Sequence, residues 1–297
     1  MTRSQLDTLT QINLNDLVSS FGWEKQPLPA AILRRIFIRP ARTFAQQMVE
    51  FDSATGQAGL AEASMQTLRA HYVKDLRVHG NKNIPANGPT LFLSNHPGMV
   101  DTLALFSAIN RPDLRIIAVH RPFLMSLVNV SKQLSYISDD SAERIRTTRQ
   151  ISSHLRNEGS ALTFPAGEIE PDPTVYGDAE DSLDNWTDSA AVFIRFARDT
   201  KIVPVLVSGV VWDKAVRHFL TRIKRTRFER DKLAAAIQVF PMMMSNFRPT
   251  TVHVQFAKPI TLDEVGSTDT RAIHEVIIKR MRRLIQNKPT DNGVSAL

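Results

Sequence analysis

The stretch Leu91-Phe92-Leu93-Ser94-Asn95-His96-Pro97-Gly98-Met99-Val100-Asp101, followed by the apolar segment Thr102 to Ile109, decides how this chain is read. A short apolar run, a Pro-Gly break and a second apolar run of helical length read as strand, turn and helix. His96 and Asp101 stand five positions apart across that turn. A histidine with a carboxylate on one ring nitrogen keeps the other free to take a proton from a hydroxyl near neutral pH. The spacing alone is common, and Asp101 also reads as a cap of the helix that follows. The surrounding sequence has to decide between these readings.

Outward from this junction the pattern alternates. Strands are expected at Asp75–His79, Thr90–Ser94, Arg115–Val119, Leu134–Ile137, Ser160–Phe164, Ile202–Val207 and Thr251–Phe256. Helices are expected at Thr102–Ile109, Pro122–Val130, Ser141–Arg156, Ser189–Asp199, Lys214–Arg225 and Arg271–Asn287. Asp140-Ser141-Ala142-Glu143 reads as a capping box, with Gly159 as the stop. Regular alternation predicts an α/β fold: a mixed, largely parallel sheet flanked by helices. Sites in such sheets lie beyond the carboxyl ends of strands. His96 follows one predicted strand and Pro165-Ala166-Gly167-Glu168 follows another, so two strand ends point to one crevice.

Before the sheet, Ala30–Phe51 and Ala58–Tyr72 read as a helical pair, with a kink expected at Pro40. Residues 1–28 are polar and weakly patterned and are expected to be partly mobile. The division is a helical, membrane-associating segment over 1–74 and a catalytic domain over 75–297.

Composition narrows the chemistry. The 297 residues are 42% hydrophobic, enough for a sizeable core. There is no Cys, which excludes disulfides, thiolate metal sites and cysteine nucleophiles. The net charge of +7 favours anionic partners. Residues 1–20 lack the basic flank and apolar core of a signal peptide. No apolar run is long enough to span a bilayer. A cytoplasmic protein, peripheral on the inner face of the membrane, is the expectation.

Four elements recur in order: Asn95-His96-Pro97-Gly98-Met99-Val100-Asp101, Tyr136-Ile137-Ser138-Asp139, Phe164-Pro165-Ala166-Gly167-Glu168 and Ile202-Val203-Pro204-Val205. Over about residues 75–265 the chain resembles the glycerolipid acyltransferase family, typified by 1-acylglycerol-3-phosphate O-acyltransferases. The resemblance implies acyl transfer from acyl-CoA or acyl-carrier protein to the hydroxyl of a lysophospholipid or related lipid. His96 would be the base and Asp101 its partner. Asn95, Pro165, Gly167 and Glu168 would line the substrate site. No cofactor and no metal are implied. Three positions depart from the family pattern: Asp139 and Ile169 stand where an Arg is usual, and Ala166 where a Glu is usual. An Ala before the Gly resembles the hemolysin-like and ornithine-lipid branch.

With those arginines missing, Arg144 and Arg146 (with Arg149) on the helix after Asp140 are candidate phosphate ligands, against a solvated face as the plain reading. His120-Arg121, past another strand end, is a second candidate. The oxyanion would be met by the Gly167 N–H or the start of the helix at 102. The acidic stretch Glu168–Asp188 reads as a solvated flap bordering the site. The basic stretch Lys214–Lys232, with Phe219, Leu220 and Ile223, suits anionic lipid, an acidic carrier protein or coenzyme A phosphates better than nucleic acid. The apolar run Ile237–Met244 fits an acyl tunnel, a membrane contact or core. Two other functions use the same features: a lipid or thioester hydrolase acting through the same pair, and an inactive lipid-binding module.

Overall fold

The computed structural model describes residues 3–138, 140–223, 226–245, 247–287, 289 and 293–296, with backbone only at 3, 4, 227–229 and 232. Asp139, and Lys224 and Arg225 of the basic stretch, lie outside the described residues.

Eight strands form one mixed sheet: β1 (Asp75–His79), β2 (Thr90–Ser94), β3 (Leu114–Val119), β4 (Leu134–Ile137), β5 (Ser160–Thr163), β6 (Lys201–Ser208), β7 (Thr251–Phe256) and β8 (Val294–Ser295). Their spatial order is β4-β3-β5-β2-β6-β7-β1-β8. The strands from β4 to β6 are parallel; β7 runs against β6 and pairs in parallel with β1, and β8 closes the edge antiparallel. The expected fold class is the observed one.

Period-two alternation gives the sheet two buried faces. Phe92, Val203, Val205 and Val207 face one core, and Leu91, Leu93, Ile202 and Leu206 face the other. The first is covered by α1 (Arg3–Ser20), α2 (Pro27–Ala58), α3 (Leu60–Thr67) and α4 (Met99–Ile109). The second is covered by α5 (Ser141–Arg156), α6 (Ser189–Phe196) and, after α7 (Arg227–Ser245), by α8 (Thr270–Gln286). Asp140 caps α5 as its sequence suggests, its side chain accepting the Glu143 N–H at 2.9 Å.

Several elements differ from the sequence reading. Residues 3–20 are helical: Leu9, Leu14 and Val18 are buried, and the helix packs along α2. The apolar partner that makes this helix worthwhile lies in another segment, so local polarity hid it. Helix α2 is longer at both ends than the expected Ala30–Phe51 and carries the buried Pro40 inside it. The segment 1–74 shares its core with the sheet: Leu9, Met48, Phe51 and Leu68 join Phe92 and Leu103. The expected helix Lys214–Arg225 is instead a single turn at Asp213–Val216 and a 3-10 turn at Phe219–Ile223. Of the apolar run at 237–244, Met242 and Met243 are core, while Phe240 and Met244 are exposed. Among the described residues no helix is long and apolar enough to cross a membrane.

Candidate active site

His96 sits just past the end of β2, and α4 begins at Met99, three residues earlier than the sequence suggested. That earlier start puts Asp101 inside the first helical turn, pointing back at the turn it follows. Its Oδ2 lies 2.7 Å from His96 Nδ1 and accepts the Gly98 N–H at 3.0 Å. The Thr102 hydroxyl donates to Oδ1 at 3.0 Å. Asp101 is fully buried. It therefore caps its helix and orients the imidazole at once, and the two readings of its sequence position prove compatible. With Nδ1 committed, the proton of the neutral ring sits on Nδ1 and Nε2 is the basic nitrogen. Nε2 has no partner among the described residues, and the His96 side chain keeps 26% of its exposure. Burial pushes the His96 imidazolium down. The charge and hydrogen bond of Asp101, helped by the charge of Glu170, outweigh burial and hold it above the ordinary histidine value against Arg121.

Glu170 is the functional residue that sequence reasoning missed by placing it in a solvated flap. It is 4% exposed. Its Oε2 accepts the His96 backbone N–H at 3.0 Å, and its own N–H donates to the His96 carbonyl at 2.8 Å. Oε1 accepts from Trp186 Nε1 at 2.8 Å and from the Ser182 hydroxyl at 3.0 Å. Burial raises its carboxyl, and these donors together with the His96 charge work against that. Asp172 is also buried, taking the N–H groups of Gly209, Val210 and Val211 at 2.7–3.0 Å. The acidic stretch is thus partly internal. The local signal was present: Trp186 and Leu183, large and apolar, stand inside the acidic run and are buried.

The remaining candidates separate. The Phe164 ring packs on the His96 imidazole with centroids 4.7 Å apart, so the ends of β2 and β5 do converge. Pro165 is buried, with its carbonyl accepting the Thr187 N–H. Gly167 adopts φ 70° and donates its N–H to the Phe164 carbonyl at 3.0 Å. That bond occupies one of the two expected oxyanion donors. Glu168 is exposed. Asn95 is buried and both ends of its amide are bound to Val207, donating to its carbonyl at 2.9 Å and accepting its N–H at 2.8 Å. Its side chain staples β2 to β6. Arg144 and Arg146 are not brought to His96. Both are exposed on α5, and Arg146 lines a cavity of about 440 Å³ with Arg115, Tyr136 and His154 beside the edge strand β4. That edge is three strands from β2, about 14 Å. Arg121, after β3, is the cation whose charge reaches His96. No carboxylate among the described residues pairs with it.

A family model for acyltransferases matches residues 75–208, the span from β1 to the end of β6 that carries His96, Asp101 and Glu170. Residues 75–208 are an acyltransferase domain. The enzyme class expected from the ordered motifs is therefore correct. Comparison with curated protein sequences returns no match. Among solved structures, the 1-acyl-sn-glycerophosphate (LPA) acyltransferase PlsC from Thermotoga maritima aligns over 98% of this chain and 100% of that chain, at 16% identity and a TM-score of 0.46.

Proposed function

We propose that this acyltransferase moves a fatty acyl group from a thioester, acyl-CoA or acyl-carrier protein, to the hydroxyl of a lysophospholipid or related lipid at a membrane surface. The observation that carries the reading is the 2.7 Å His96–Asp101 contact inside an acyltransferase domain, with Nε2 open at the strand end. Nε2 removes the hydroxyl proton as the oxygen attacks the thioester carbonyl. Asp101 holds the ring and offsets the charge it gains. The thiolate departs and takes the proton from His96. The chain has no cysteine, and direct attack needs no acyl-enzyme. With Gly167 committed, the oxyanion falls to the first-turn N–H groups of α4, which have no acceptor within the helix. In this reading Arg121, whose charge reaches His96, holds a phosphate on the acceptor.

Membrane attachment is proposed through the outer end of α2. Leu28, Ile32 and Ile36 recur every four residues and are 55–78% exposed, beside exposed Arg35 and Arg39. Phe219 and Ile223 add two further exposed apolar side chains, with Arg222 between them. Apolar side chains rimmed by arginine suit the boundary of an anionic bilayer.

The test is transfer from labelled palmitoyl-CoA and palmitoyl-carrier protein to a panel of lysolipids, with His96→Ala beside the wild type. A His96-dependent acylated lipid is expected. A folded His96→Ala variant that still transfers would remove His96 as the base. Free fatty acid formed without acceptor would favour hydrolysis.

A further inference from the structure

A cavity of about 700 Å³ lies towards the β1 edge of the sheet, lined by Arg69, Lys74, Asp75, Arg77, Arg248 and His253. Its charge is one-sided. Asp75 is the single carboxylate, and it is already bound to Arg77 at 2.5 Å and to the Ser295 hydroxyl at 2.7 Å. No carboxylate among the described residues pairs with Arg69, Lys74 or Arg248. Thr251 and Ser295 add hydroxyls to the rim. Burial, then His79 and Arg77, push His253 below the ordinary histidine value, so at neutral pH it is a neutral polar group. Three cations without a carboxylate partner, Arg248 also donating to the Arg69 carbonyl, line one concave wall; they focus positive potential and suit a group bearing several phosphates.

Strand register places this cavity relative to His96. His253 pairs with Ser208 at the carboxyl end of β6, and Asp75 with Thr251 two residues further out. The cavity therefore opens at the same end of the sheet as His96. The order β2-β6-β7-β1 puts it two to three strands away, about 10–14 Å. One loop lies between the two places: Glu170 holds His96, while two residues on, Asp172 accepts the Gly209 N–H beside Ser208, the strand partner of His253.

We infer that this cavity binds the nucleotide phosphates of coenzyme A in the acyl donor, so that the pantetheine arm runs along the strand ends to His96. The inference rests on the reading that a thioester is delivered to His96. The arm is about four peptide units long and spans about 14 Å when extended, which matches the separation. A lipid headgroup carries the same phosphate chemistry but would set its reacting hydroxyl within a few bonds of that phosphate, too close to the cavity to meet His96.

The experiment uses the full chain. Adenosine 3′,5′-bisphosphate and coenzyme A are titrated calorimetrically into wild type, Arg69→Glu, Lys74→Glu and His96→Ala, with thermal melts confirming folding. Palmitoyl-CoA kinetics follow on the wild type and the two charge variants. Expected are binding to wild type and His96→Ala alike and at least tenfold weaker binding to both charge variants. The KM for palmitoyl-CoA should rise at least tenfold, with kcat and the acceptor KM within twofold. Absence of binding by the wild type, or unchanged binding by both folded charge variants, overturns the inference. So does a rise confined to the acceptor KM, which assigns the cavity to a lipid headgroup, and so does transfer from carrier protein alone. Binding that His96→Ala preserves separates this inference from the assignment of the base: transfer retained by His96→Ala would overturn the second and leave the first standing.

Discussion

Replacing Glu170 by Gln probes how His96 is held. The carboxylate serves donors at both oxygens: the His96 N–H at Oε2, and Trp186 Nε1 with the Ser182 hydroxyl at Oε1. Glutamine has the same shape but only one acceptor oxygen, so its NH₂ must face a donor. The Ser182 hydroxyl can turn away, since the Ala179 carbonyl at 2.8 Å is an alternative acceptor for its single proton. One buried N–H, of His96 or Trp186, then loses its acceptor, at a cost of about 1–3 kcal/mol. Expressed as displacement of the base, that is about 5- to 150-fold in kcat/KM. A second consequence has a definite sign. The base must be neutral, so the rate falls as pH falls through the His96 pKa. Asp101 and Glu170 hold that pKa above the usual value of about 6.5, so the wild-type acid limb lies above it. Removing the Glu170 charge moves the limb to lower pH. The assay is kcat/KM from about pH 5.5 to 9 with a thermal melt at each end. A folded Glu170→Gln variant within twofold of wild type, or one that loses rate without any movement of the acid limb, would refute this account of the clamp.

Two further outcomes follow from the geometry. Asn95→Ala removes the staple to Val207, leaving a buried N–H and carbonyl unpaired, and should lower stability by about 2–4 kcal/mol in chemical denaturation. A change below about 0.5 kcal/mol would return Asn95 to the substrate site. Ile32→Asp combined with Ile36→Asp places charge on exposed positions of α2 and should weaken flotation with anionic vesicles at least tenfold without moving the melting temperature. Unchanged flotation would dismiss that face as the membrane contact.

What the sequence determined by itself was whatever depends on short-range pattern. Thr90–Ser94, Leu134–Ile137 and Thr251–Phe256 have the residue bounds that alternation and turn residues suggest, and Ser141–Arg156 starts at the cap its side chains announce. His96 and Asp101 were legible because both members of the pair sit in one strand–turn–helix junction. Only the tertiary structure decided the rest. Residues 3–20 become helical because α2 offers them an apolar face. Asn95 loses its free amide because β6 lies beside β2. Arg144 and Arg146 are carried to the far edge by the position of β4, while Arg121 comes within electrostatic reach of His96. Glu170 turns inward because Ser182 and Trp186, twelve and sixteen residues along the chain, provide donors that compensate a buried carboxylate. In each case the deciding partner is distant in sequence, and the energy of burying a charge or an amide depends on that partner and not on the residue's own neighbours.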